Sequence, residues 1–520
     1  MVLAHRREST AGEVILRSLR RHAGSKTAFT WGEGDSKDRG SLSYGQALDA
    51  IGRTQAVLAD AGLGPGSRIG ILSGNRVDSW LTATAAWCSG LVVTYLHPIG
   101  SLADHLYQLS DARVEALFVD PAKFAERGAT LAEQANLKHL YTFGSAEVGR
   151  DLHAAREQVG SHAPVDVADP DDLVWLNYTG GTTGRPKGVR YRHASVLGHS
   201  RSVLTDFELP ADPRYLAAAP ITHVAGTKIL PVLLRGGSVH LLDGFTASGA
   251  LRAIEEQRLT MALFVPTMIY TLLDDPALDS TDLSSLELVL YGASAMSPSR
   301  LAEGHERLGD VFAQLYGQSE CYPISYLSRA DHTRGREELP ALLSSCGFPV
   351  HGTSVALLDS DGTPVPRGEA GEICVRGQAA MEGYHDLPAL TEEALAGGWL
   401  HTGDIGTLDD SGFLTIVDRK KDMIVTGGFN VFPREVEDAL TSHPDVATAA
   451  VYGVPDEKWG EAVTAAVVLK PGATVDEATL VARVKELKGS VQAPKHVHVL
   501  TELPMTAVGK IDKKQLRQQH

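Results

Sequence analysis

The residues best suited to chemistry are concentrated in one short segment of the sequence, between residues 178 and 189. It follows the strand-like run LVWLNY and combines glycines, threonines and basic side chains: Thr179, Gly180, Gly181, Thr182, Thr183, Gly184, Arg185 and Lys187. Glycines let backbone N–H groups approach a ligand, hydroxyls add donors, and cations add positive charge. The composition therefore predicts a loop that wraps phosphate oxygens, in preference to a flexible polar connection.

This loop differs from the phosphate-binding loop of P-loop NTPases. A Walker A motif ends in Gly-Lys followed by Ser or Thr. Here Arg185 and Pro186 precede Lys187, and Gly188 follows it. The sequence therefore disfavours a P-loop NTPase.

Seven further segments stand in the order and spacing of a known family: residues 220–226 (PITHVAG), 291–294 (YGAS), 314–320 (QLYGQSE), 402–404 (TGD), 418–422 (DRKKD), 427–430 (GGFN) and 504–510 (PMTAVGK). With the loop, they make the chain resemble the adenylate-forming superfamily. That superfamily includes acyl-CoA synthetases, aryl-CoA ligases, peptide-synthetase adenylation domains and luciferases. The resemblance runs from about residue 20 to the end of the chain.

The resemblance implies a reaction in two steps. A carboxylic acid attacks the α-phosphorus of ATP to give an acyl-adenylate and pyrophosphate, and the acyl group then passes to coenzyme A with release of AMP. Because two unit charges about 4 Å apart repel by roughly 4 kcal/mol at an effective dielectric constant near 20, the first step needs cations. In the family, the lysine matching Lys510 bridges carboxylate and α-phosphate, and the glutamate matching Glu320 holds Mg2+. Without that context, Lys510 is typical of a solvated lysine.

The same resemblance assigns the nucleotide contacts. Tyr316 would flank the adenine, and Gly292 and Ala293 would offer backbone groups to it. Asp404 would accept hydrogen bonds from both ribose hydroxyls, with Arg419 assisting. Taken singly, these residue types are also typical of core packing or of a turn. The predicted ATP- and AMP-binding set is Thr179, Gly180, Gly181, Thr182, Thr183, Gly184, Lys187, Gly292, Ala293, Ser294, Tyr316, Gly317, Ser319, Asp404 and Arg419.

A lone histidine in an apolar segment is typical of a core residue, but the family places a histidine or an aromatic residue beside the acyl pocket at the position of His223, so the resemblance predicts the acid-binding pocket there. We expect His223 to form a pocket wall, since a carboxylic acid carries no proton to remove at neutral pH. Residues 217–242 contain no Asp or Glu, which disfavours amino-acid substrates and favours a hydrophobic fatty, aryl or polycyclic acid. Lys228 could meet a second acidic group, but a lysine whose amine reaches solvent is favoured. The predicted pocket residues are His223, Val224, Ala225, Gly226, Val265, Gly292 and Gln318.

The second step implies a moving C-terminal domain. In the family, this domain rotates about one hinge residue, and Lys421 lies at or next to that position. Rotation withdraws Lys510 and brings a glycine loop, here Gly427, Gly428 and Phe429, to the tunnel that admits coenzyme A.

Other functions remain open at this point. The chain could pass its acyl group to a carrier protein or partner enzyme, or it could bind a nucleotide or acyl-adenylate without catalysis. Intact Lys510, Glu320 and Asp404 argue against the non-catalytic alternative. A luciferase-type oxygenase shares the same motifs and is disfavoured.

Alternating helices and strands must position these residues. Ser43 and Gln46 have the form of a capping box that opens a helix running to Ala61 and stopping at Gly62. Residues 68–72, 115–119 and 263–265 are predicted strands, and residues 252–258 part of a helix. The pattern predicts an α/β fold with largely parallel sheets. With the resemblance, it predicts a large N-terminal domain of two αβ-layered subdomains plus a β-rich subdomain, and a small mobile α+β C-terminal domain.

Changes in residue composition along the chain indicate where its structural segments begin and end. Residues 353–417 are rich in glycine and in short alternating segments, which predicts β structure with tight turns. The charged run at 418–422 is either a solvated turn or a domain junction. We place the domains at 1–420 and 421–520.

Composition excludes several classes of protein. The 520 residues carry a formal charge of −16, which disfavours a nucleic-acid-binding surface. The four cysteines contain no short CxxC pair, which argues against a disulfide framework and a thiolate zinc site. Neither a signal peptide nor a membrane-spanning segment is predicted. We expect a soluble cytoplasmic protein whose partners are a small carboxylic acid and coenzyme A.

Overall fold

The computed structural model describes residues 9–22, 24–32, 39–179, 185–294, 296–420, 422–427, 429–456, 458–505 and 511–519. Its contacts divide the chain into two units. The first unit contains residues 1–355 and 375–400, and the second contains residues 356–374 and 401–520. The junction predicted at Lys421 stays a prediction, because that residue lies outside the described part of the chain.

The first unit contains a nine-stranded sheet in which parallel pairs form the centre. In spatial order its strands are Phe348–Pro349, Cys321–Leu327, Phe312–Gln318, Leu288–Gly292, Met261–Phe264, Arg214–Ala217, Ser238–Leu241, Thr27–Trp31 and Gly40–Ser43. Six neighbouring strands, from Phe312–Gln318 to Thr27–Trp31, pair in parallel. The three strands at the two edges pair antiparallel.

A seven-stranded sheet completes the strands of this unit. In spatial order they are Arg150–Asp151, His139–Thr142, Ala116–Val119, Arg68–Leu72, Val92–Leu96, Leu173–Thr179 and Lys187–Arg192. All pairs are parallel except the last, so this sheet is largely parallel as predicted.

Helices connect these strands, as parallel pairing requires. The α-helices of the first unit are Ala11–Arg21, Tyr44–Asp60, Val77–Cys88, Leu102–Asp111, Pro121–Gln134, Leu152–Gln158, His193–Asp206, Ile229–Leu234, Ala247–Gln257, Pro266–Asp274, Pro298–Leu308, Arg329–Glu337 and Pro388–Ala394. Short 3-10 turns lie at Gly226–Lys228, Pro276–Ser280, Pro340–Ser344 and Ala396–Gly398. The mixed α/β fold is confirmed.

A four-stranded sheet lies chiefly in the second unit and confirms the predicted β-rich segment. Its strands are Thr353–Leu358, Gly371–Gly377, Leu400–Leu408 and Leu414–Arg419. The rest of the second unit is a five-stranded sheet with helices. Its strands are Ile424–Thr426, Phe429–Val431, Val446–Asp456, Gly460–Leu469 and His496–Leu500, and its helices are Pro433–Thr441, Glu477–Lys488 and Lys513–Gln519.

The predicted helix start at Ser43 is confirmed in detail. The Ser43 side chain accepts from the Gln46 backbone N–H, and the Gln46 side chain accepts from the Ser43 backbone N–H. The helix ends at Asp60, and Gly62 follows with φ +72°. Only glycine adopts this left-handed conformation without strain, which explains the termination there.

Two further sequence expectations have clear outcomes. All four cysteines are buried free thiols, so no disulfide forms among them. None of the described helices combines the length and the apolar character needed to cross a bilayer.

A buried ion cluster joins three helices of the first unit. Arg156 donates to Asp78 Oδ1 at 2.7 Å and to Thr54 Oγ1 at 2.8 Å, and His153 Nε2 lies 3.0 Å from Asp78. The Asp78 and Arg156 side chains are each only 9% exposed. Burial alone would raise the pKa of Asp78, but the hydrogen bond from His153 and the charge of Arg156 lower it overall.

Replacing Arg156 should strongly destabilise this unit. We expect Arg156→Ala to lower the free energy of unfolding by about 3 kcal/mol, because the buried Asp78 carboxylate loses its hydrogen-bonded guanidinium and keeps only that of Arg76, 3.9 Å away. Urea unfolding at pH 7 measures the loss. The pKa of Asp78 in the folded chain lies below the ordinary value of 3.8. The cluster's stabilisation is therefore present above pH 4, about the unfolded pKa, and is lost as the pH falls through the folded pKa.

Arg17→Ala is the matched control for this variant. Arg17 pairs with Glu13 on one helix, and the two side chains are 65% and 51% exposed. The control should change stability by less than about 0.5 kcal/mol. Equal effects of the two variants would contradict the stabilising role of the buried cluster.

Candidate active site

Predicted pocket and nucleotide residues follow the carboxyl ends of neighbouring parallel strands. Arg214–Ala217, Met261–Phe264, Leu288–Gly292 and Phe312–Gln318 lie side by side in this order. His223 comes after the first strand, Val265 after the second, and the third and fourth strands end at Gly292 and Gln318. Because ligands of open α/β sheets bind outside the carboxyl ends of strands, this edge is the candidate site.

The backbone at Gly292 and Ala293 is constrained. A Cβ on Gly292 would lie 2.5 Å from the Leu315 carbonyl oxygen, so only glycine fits there. Ala293 has φ +67°, in the left-handed region that disfavours a side chain by roughly 1–2 kcal/mol. Backbone strain of this kind is concentrated at functional sites. Ser294, another residue of the predicted nucleotide-binding set, is the next residue after Ala293. The turn can present the backbone groups predicted to meet the adenine.

A tight hairpin presents Ser319 and Glu320. Gln318 pairs with Cys321 across the two strands, which leaves Ser319 and Glu320 at the tip of the turn. Tyr316 is buried one position before Gly317, where a Cβ would lie 2.9 Å from the Tyr322 ring. The structure therefore fixes the half-buried Glu320 carboxylate at the same edge as Gly292.

Tyr384 joins Glu320 to Lys187. The Tyr384 hydroxyl donates to Glu320 Oε1 at 2.9 Å, and Lys187 Nζ lies 5.2 Å from the centre of the Tyr384 ring. Burial and the charge of Glu320 both raise the pKa of Tyr384, so its hydroxyl keeps its proton and donates. Sequence reasoning missed Tyr384, which stands outside the family segments and 64 residues from Glu320.

The Glu320 carboxylate fits a hard cation. Its Oε1 is oriented by the Tyr384 hydroxyl, an outer-shell donor of the kind that fixes metal-binding carboxylates. Mg2+ usually takes one or two protein carboxylates, with phosphate and water as its other ligands. A single glutamate is sufficient when phosphate and water supply the remaining ligands.

The structure describes the two flanks of the predicted phosphate loop. Thr179 and Lys187 face each other in the antiparallel pair of strands that supports the loop. The Arg185 guanidinium lies 5.4 Å from the centre of the Tyr107 ring. Five predicted residues fall outside the described part of the chain: Gly180, Gly181, Thr182, Thr183 and Gly184.

His223 packs against a second histidine. Its ring meets that of His97 edge to face, with centroids 4.5 Å apart, and its Nδ1 lies 2.8 Å from Thr222 Oγ1. Burial and the neighbouring His97 lower the pKa of His223 to about 3. Burial lowers the pKa of His97 to about 4. Both imidazoles are therefore neutral at pH 7. Sequence reasoning missed His97.

The segment after His223 is tightly folded. A Cβ on Gly226 would lie 1.9 Å from the Ile221 carbonyl oxygen, which explains the glycine. Ala225 is fully buried, and its carbonyl accepts from the Tyr215 hydroxyl at 3.1 Å. The Val224 carbonyl accepts from Thr227 Oγ1 at 2.7 Å. These bonds close the 3-10 turn that shapes the predicted pocket.

The expectation that the Lys228 amine reaches solvent is wrong. Lys228 is 0% exposed, and its Nζ donates to neutral oxygens of Thr227 (2.9 Å), Val224 (3.4 Å) and the Tyr322 hydroxyl. The amine also lies 4.3 Å from the centre of the Tyr322 ring. Burial lowers its pKa well below the ordinary value. The turn directs this side chain inward, where neutral acceptors satisfy it.

In the second unit, Asp404 and Arg419 face each other on paired strands. The Arg419 Nε lies 3.3 Å from Asp404 Oδ1, and the Asp404 carboxylate is mostly buried. The Asp404 backbone N–H donates to Thr402 Oγ1 at 3.1 Å. This arrangement orients the carboxylate predicted to bind ribose.

Asp418 differs from the solvated residue that a charged run suggests. It is 9% exposed, and its carboxylate accepts from the backbone N–H groups of Arg419 (2.6 Å) and Arg434 (3.0 Å). Burial raises its pKa to about 6. The next two residues in the chain, Arg419 and Lys420, are exposed.

The predicted coenzyme A segment is partly described. Gly427 has φ +57°, and its N–H donates to the Trp459 carbonyl at 2.7 Å. Phe429 is 60% exposed, which is unusual for a large apolar side chain. Gly428, the hinge candidate Lys421 and the catalytic candidate Lys510 lie outside the described residues.

Comparisons with known proteins cover nearly the whole chain. The family model of AMP-binding enzymes matches residues 16–385, and the model of the AMP-binding enzyme C-terminal domain matches residues 435–510. A medium/long-chain-fatty-acid–CoA ligase of Mycobacterium tuberculosis is 45% identical, over 97% of this chain and 89% of its own. A feruloyl-CoA synthase of an Amycolatopsis species is 35% identical, over 92% of this chain and 94% of its own.

A solved structure is similar over the same extent. The amide bond synthetase McbA from Marinactinospora thermotolerans has a TM-score of 0.88 at 32% identity, with 97% of this chain and 99% of that chain covered. The first family model matches most of the sequence, and the alignments with curated relatives cover nearly all of it. This chain belongs to the AMP-binding enzyme family.

Proposed function

We propose that this chain is an AMP-forming acid–CoA ligase that activates a hydrophobic carboxylic acid as its acyl-adenylate. The observation that carries this proposal is the convergence at one strand edge. The His223 segment, the Gly292–Ala293 turn and the Glu320–Tyr384–Lys187 cluster lie at or beside that edge. Curated relatives named as fatty-acid–CoA ligase and feruloyl-CoA synthase support the reaction class.

In the first step, the chain would hold two anions together. Lys187 and the glycine–threonine loop would bind the phosphates, and Lys510 would bridge the acid and the α-phosphate. Mg2+ held by Glu320 would neutralise further phosphate charge. Because phosphoryl transfer depends mainly on positioning and charge stabilisation, no covalent intermediate with the protein is required.

The nucleoside would be held by residues that the fold orients. Tyr316 would flank the adenine beside the Gly292–Ala293 backbone. Asp404, fixed by Arg419, would accept from the ribose hydroxyls. These roles rest on the family resemblance together with the local geometry.

The acid pocket is proposed to be neutral and largely apolar. His97 and His223 are both uncharged at pH 7, and Ala225 and Gly226 occupy little volume. Such walls suit an aliphatic or aromatic acid and offer no partner to an amino group. Fatty and aryl acids are the first candidates.

In the second step, we propose that residues 421–520 rotate about Lys421. Rotation would withdraw Lys510 and bring Gly427, Gly428 and Phe429 to the path of the coenzyme A thiol. The exposed Phe429 ring offers an apolar contact for the pantetheine arm.

A second acceptor is favoured by one specific observation. The similar structure McbA is named an amide bond synthetase, so an amine is a candidate acceptor of the adenylate in place of a thiol. The earlier alternative of a carrier protein or partner enzyme involves the same first step. AMP release that depends on coenzyme A separates the leading proposal from these alternatives.

A panel of carboxylic acids tests the function directly. Medium- and long-chain fatty acids and cinnamic acids are supplied with ATP and Mg2+, with and without coenzyme A. We expect pyrophosphate release with at least one acid and acyl-CoA formation only when coenzyme A is present. Pyrophosphate and thioester are measured separately.

Lys510→Ala is the control within this panel. We expect it to slow adenylation by at least about 10²-fold, by analogy with removal of one preorganised charge-stabilising donor. An unchanged burst of acyl-adenylate would remove Lys510 from its proposed role. If no acid gives an AMP ester with the wild-type chain, the proposed function is wrong.

A proline at the hinge should separate the two steps. We expect Lys421→Pro to change adenylation by less than about threefold and to slow thioester formation by at least about tenfold, because a fixed φ blocks rotation. Single-turnover assays measure each step.

Lys421→Ala is the matched variant, since it removes the side chain but leaves the backbone free to rotate. It should retain both steps near the wild-type rates. Equal loss of both steps in Lys421→Pro would count against a hinge at this residue.

A further inference from the structure

Three potential metal ligands converge in the second unit, away from Glu320 in the sequence. They are Glu372, Cys374 and His401, and one ligand atom from each lies within 4.8 Å of the others. His401 Nδ1 is 3.4 Å from Cys374 Sγ and 3.0 Å from Glu372 Oε2. None of the three residues belongs to the proposed nucleotide, acid or coenzyme A sites.

Strand geometry explains this convergence. Glu372 and Cys374 are two residues apart on the strand Gly371–Gly377, so their side chains emerge on the same face. His401 lies on the neighbouring strand Leu400–Leu408. Thr402 Oγ1 donates to the Ile373 carbonyl at 2.7 Å, which fastens the two strands beside the cluster. The three side chains are therefore held by rigid elements.

The Glu372 carboxylate is oriented on both sides. Its Oε1 accepts from the Gly403 backbone N–H at 3.1 Å, and its Oε2 accepts from Lys420 Nζ at 3.1 Å. The Gly403 N–H fixes the direction of the carboxylate, as outer-shell donors do for metal ligands, whereas the Lys420 ammonium occupies Oε2 and competes with a metal ion for it. Glu372 and Cys374 are buried, whereas the side chains of His401 and Lys420 are 23% and 59% exposed. An ion could therefore enter from the side of Lys420.

The donor set suits a thiophilic divalent cation. Thiolate, imidazole and carboxylate are the ligands of tetrahedral zinc, with Zn–S about 2.3 Å and Zn–N about 2.0 Å. Ligand atoms of such a tetrahedron lie about 3.5 Å apart on this geometry. The observed separations of 3.4 and 3.0 Å are close to that value. Sulfur disfavours Mg2+ and Ca2+.

We propose that Glu372, Cys374 and His401 bind one zinc ion, with water as the fourth ligand. On binding, the Cys374 thiol loses its proton to solvent, and His401 coordinates through the Nδ1 lone pair. The ion replaces the Lys420 ammonium as the positive partner of Glu372. It also cross-links two strands immediately before the segment that contains Asp404.

The absence of a CxxC pair does not oppose this site. A CxxC pair is typical of zinc sites that contain several cysteines, whereas the proposed site contains only one. Cys374 and His401 are separated by 27 residues and meet only because their strands pair. Metal binding at this site does not depend on the proposed ligase activity.

Cobalt absorption of the full-length chain tests the site. Co2+ bound by a thiolate in a tetrahedral site gives strong charge-transfer and visible bands. We expect the reduced wild-type chain to bind one Co2+ with these bands and Zn2+ to displace it. Cys374→Ala should abolish the bands, and His401→Ala should weaken binding at least about tenfold. Cys346→Ala, which removes another buried thiol, should leave them unchanged.

Lys420→Met should strengthen Co2+ binding, whereas the ligand variants weaken it. A misfolded chain would not bind the ion more tightly. Removing the ammonium that competes for Glu372 should tighten Co2+ binding about tenfold. Zn2+ should also raise the melting temperature of the wild-type chain but not that of Cys374→Ala, since a ligand of the folded state stabilises it. A wild-type chain without thiolate bands, or bands that persist in Cys374→Ala, would overturn the proposal.

Discussion

Two negatively charged reactants must be brought into contact before a carboxylate can attack a phosphate, and this electrostatic constraint governs the proposed site. Repulsion of several kcal/mol has to be offset by fixed positive charge and oriented donors. The parallel strands of the nine-stranded sheet provide the fixed positions. Glu320 follows the carboxyl end of one of these strands, and the Tyr384 side chain contacts both its carboxylate and Lys187 of the seven-stranded sheet.

The predicted acid pocket follows the opposite rule, because its two histidines are neutral. Burial lowers the pKa of His97 to about 4 and that of His223 to about 3, and the two rings pack against each other. A buried charge without a counterion is costly, so the neutral imidazoles are favoured. The phosphate end and the acyl end of the proposed site thus differ in charge, which matches an amphipathic acid with one reacting carboxylate.

Local signals in the sequence predicted local structure well. The Ser43 capping box is confirmed, and so are both ends of the strand Arg68–Leu72, while the helix that the box opens ends at Asp60, one residue before the predicted Ala61. The strand predicted at residues 263–265 is observed at Met261–Phe264, because Pro266 starts the next helix and Val265 serves as its N-cap. Gly292 and Gln318 end neighbouring parallel strands and Asp404 lies within a strand, while the roles that the family segments assign to them stay predictions.

Contacts between residues far apart in the chain could not be predicted from the sequence. Tyr384 and His97 belong to no recognised segment, and only the folded strands bring them to Glu320 and His223. The Lys228 amine was wrongly predicted to reach solvent. One of the neutral oxygens that hold it inside belongs to Tyr322, 94 residues away in the chain. Burial and pairing of this kind depend on tertiary packing rather than on residue type.

Binding of Mn2+–ATP, followed by electron paramagnetic resonance, tests the central claim most directly. The wild-type chain should bind Mn2+ in the presence of ATP, and Glu320→Gln should weaken that binding by at least about tenfold, because it removes the charged oxygen that a hard cation prefers. Equal Mn2+ binding by the two proteins would contradict the assignment of Glu320 and the account of charge compensation built on it.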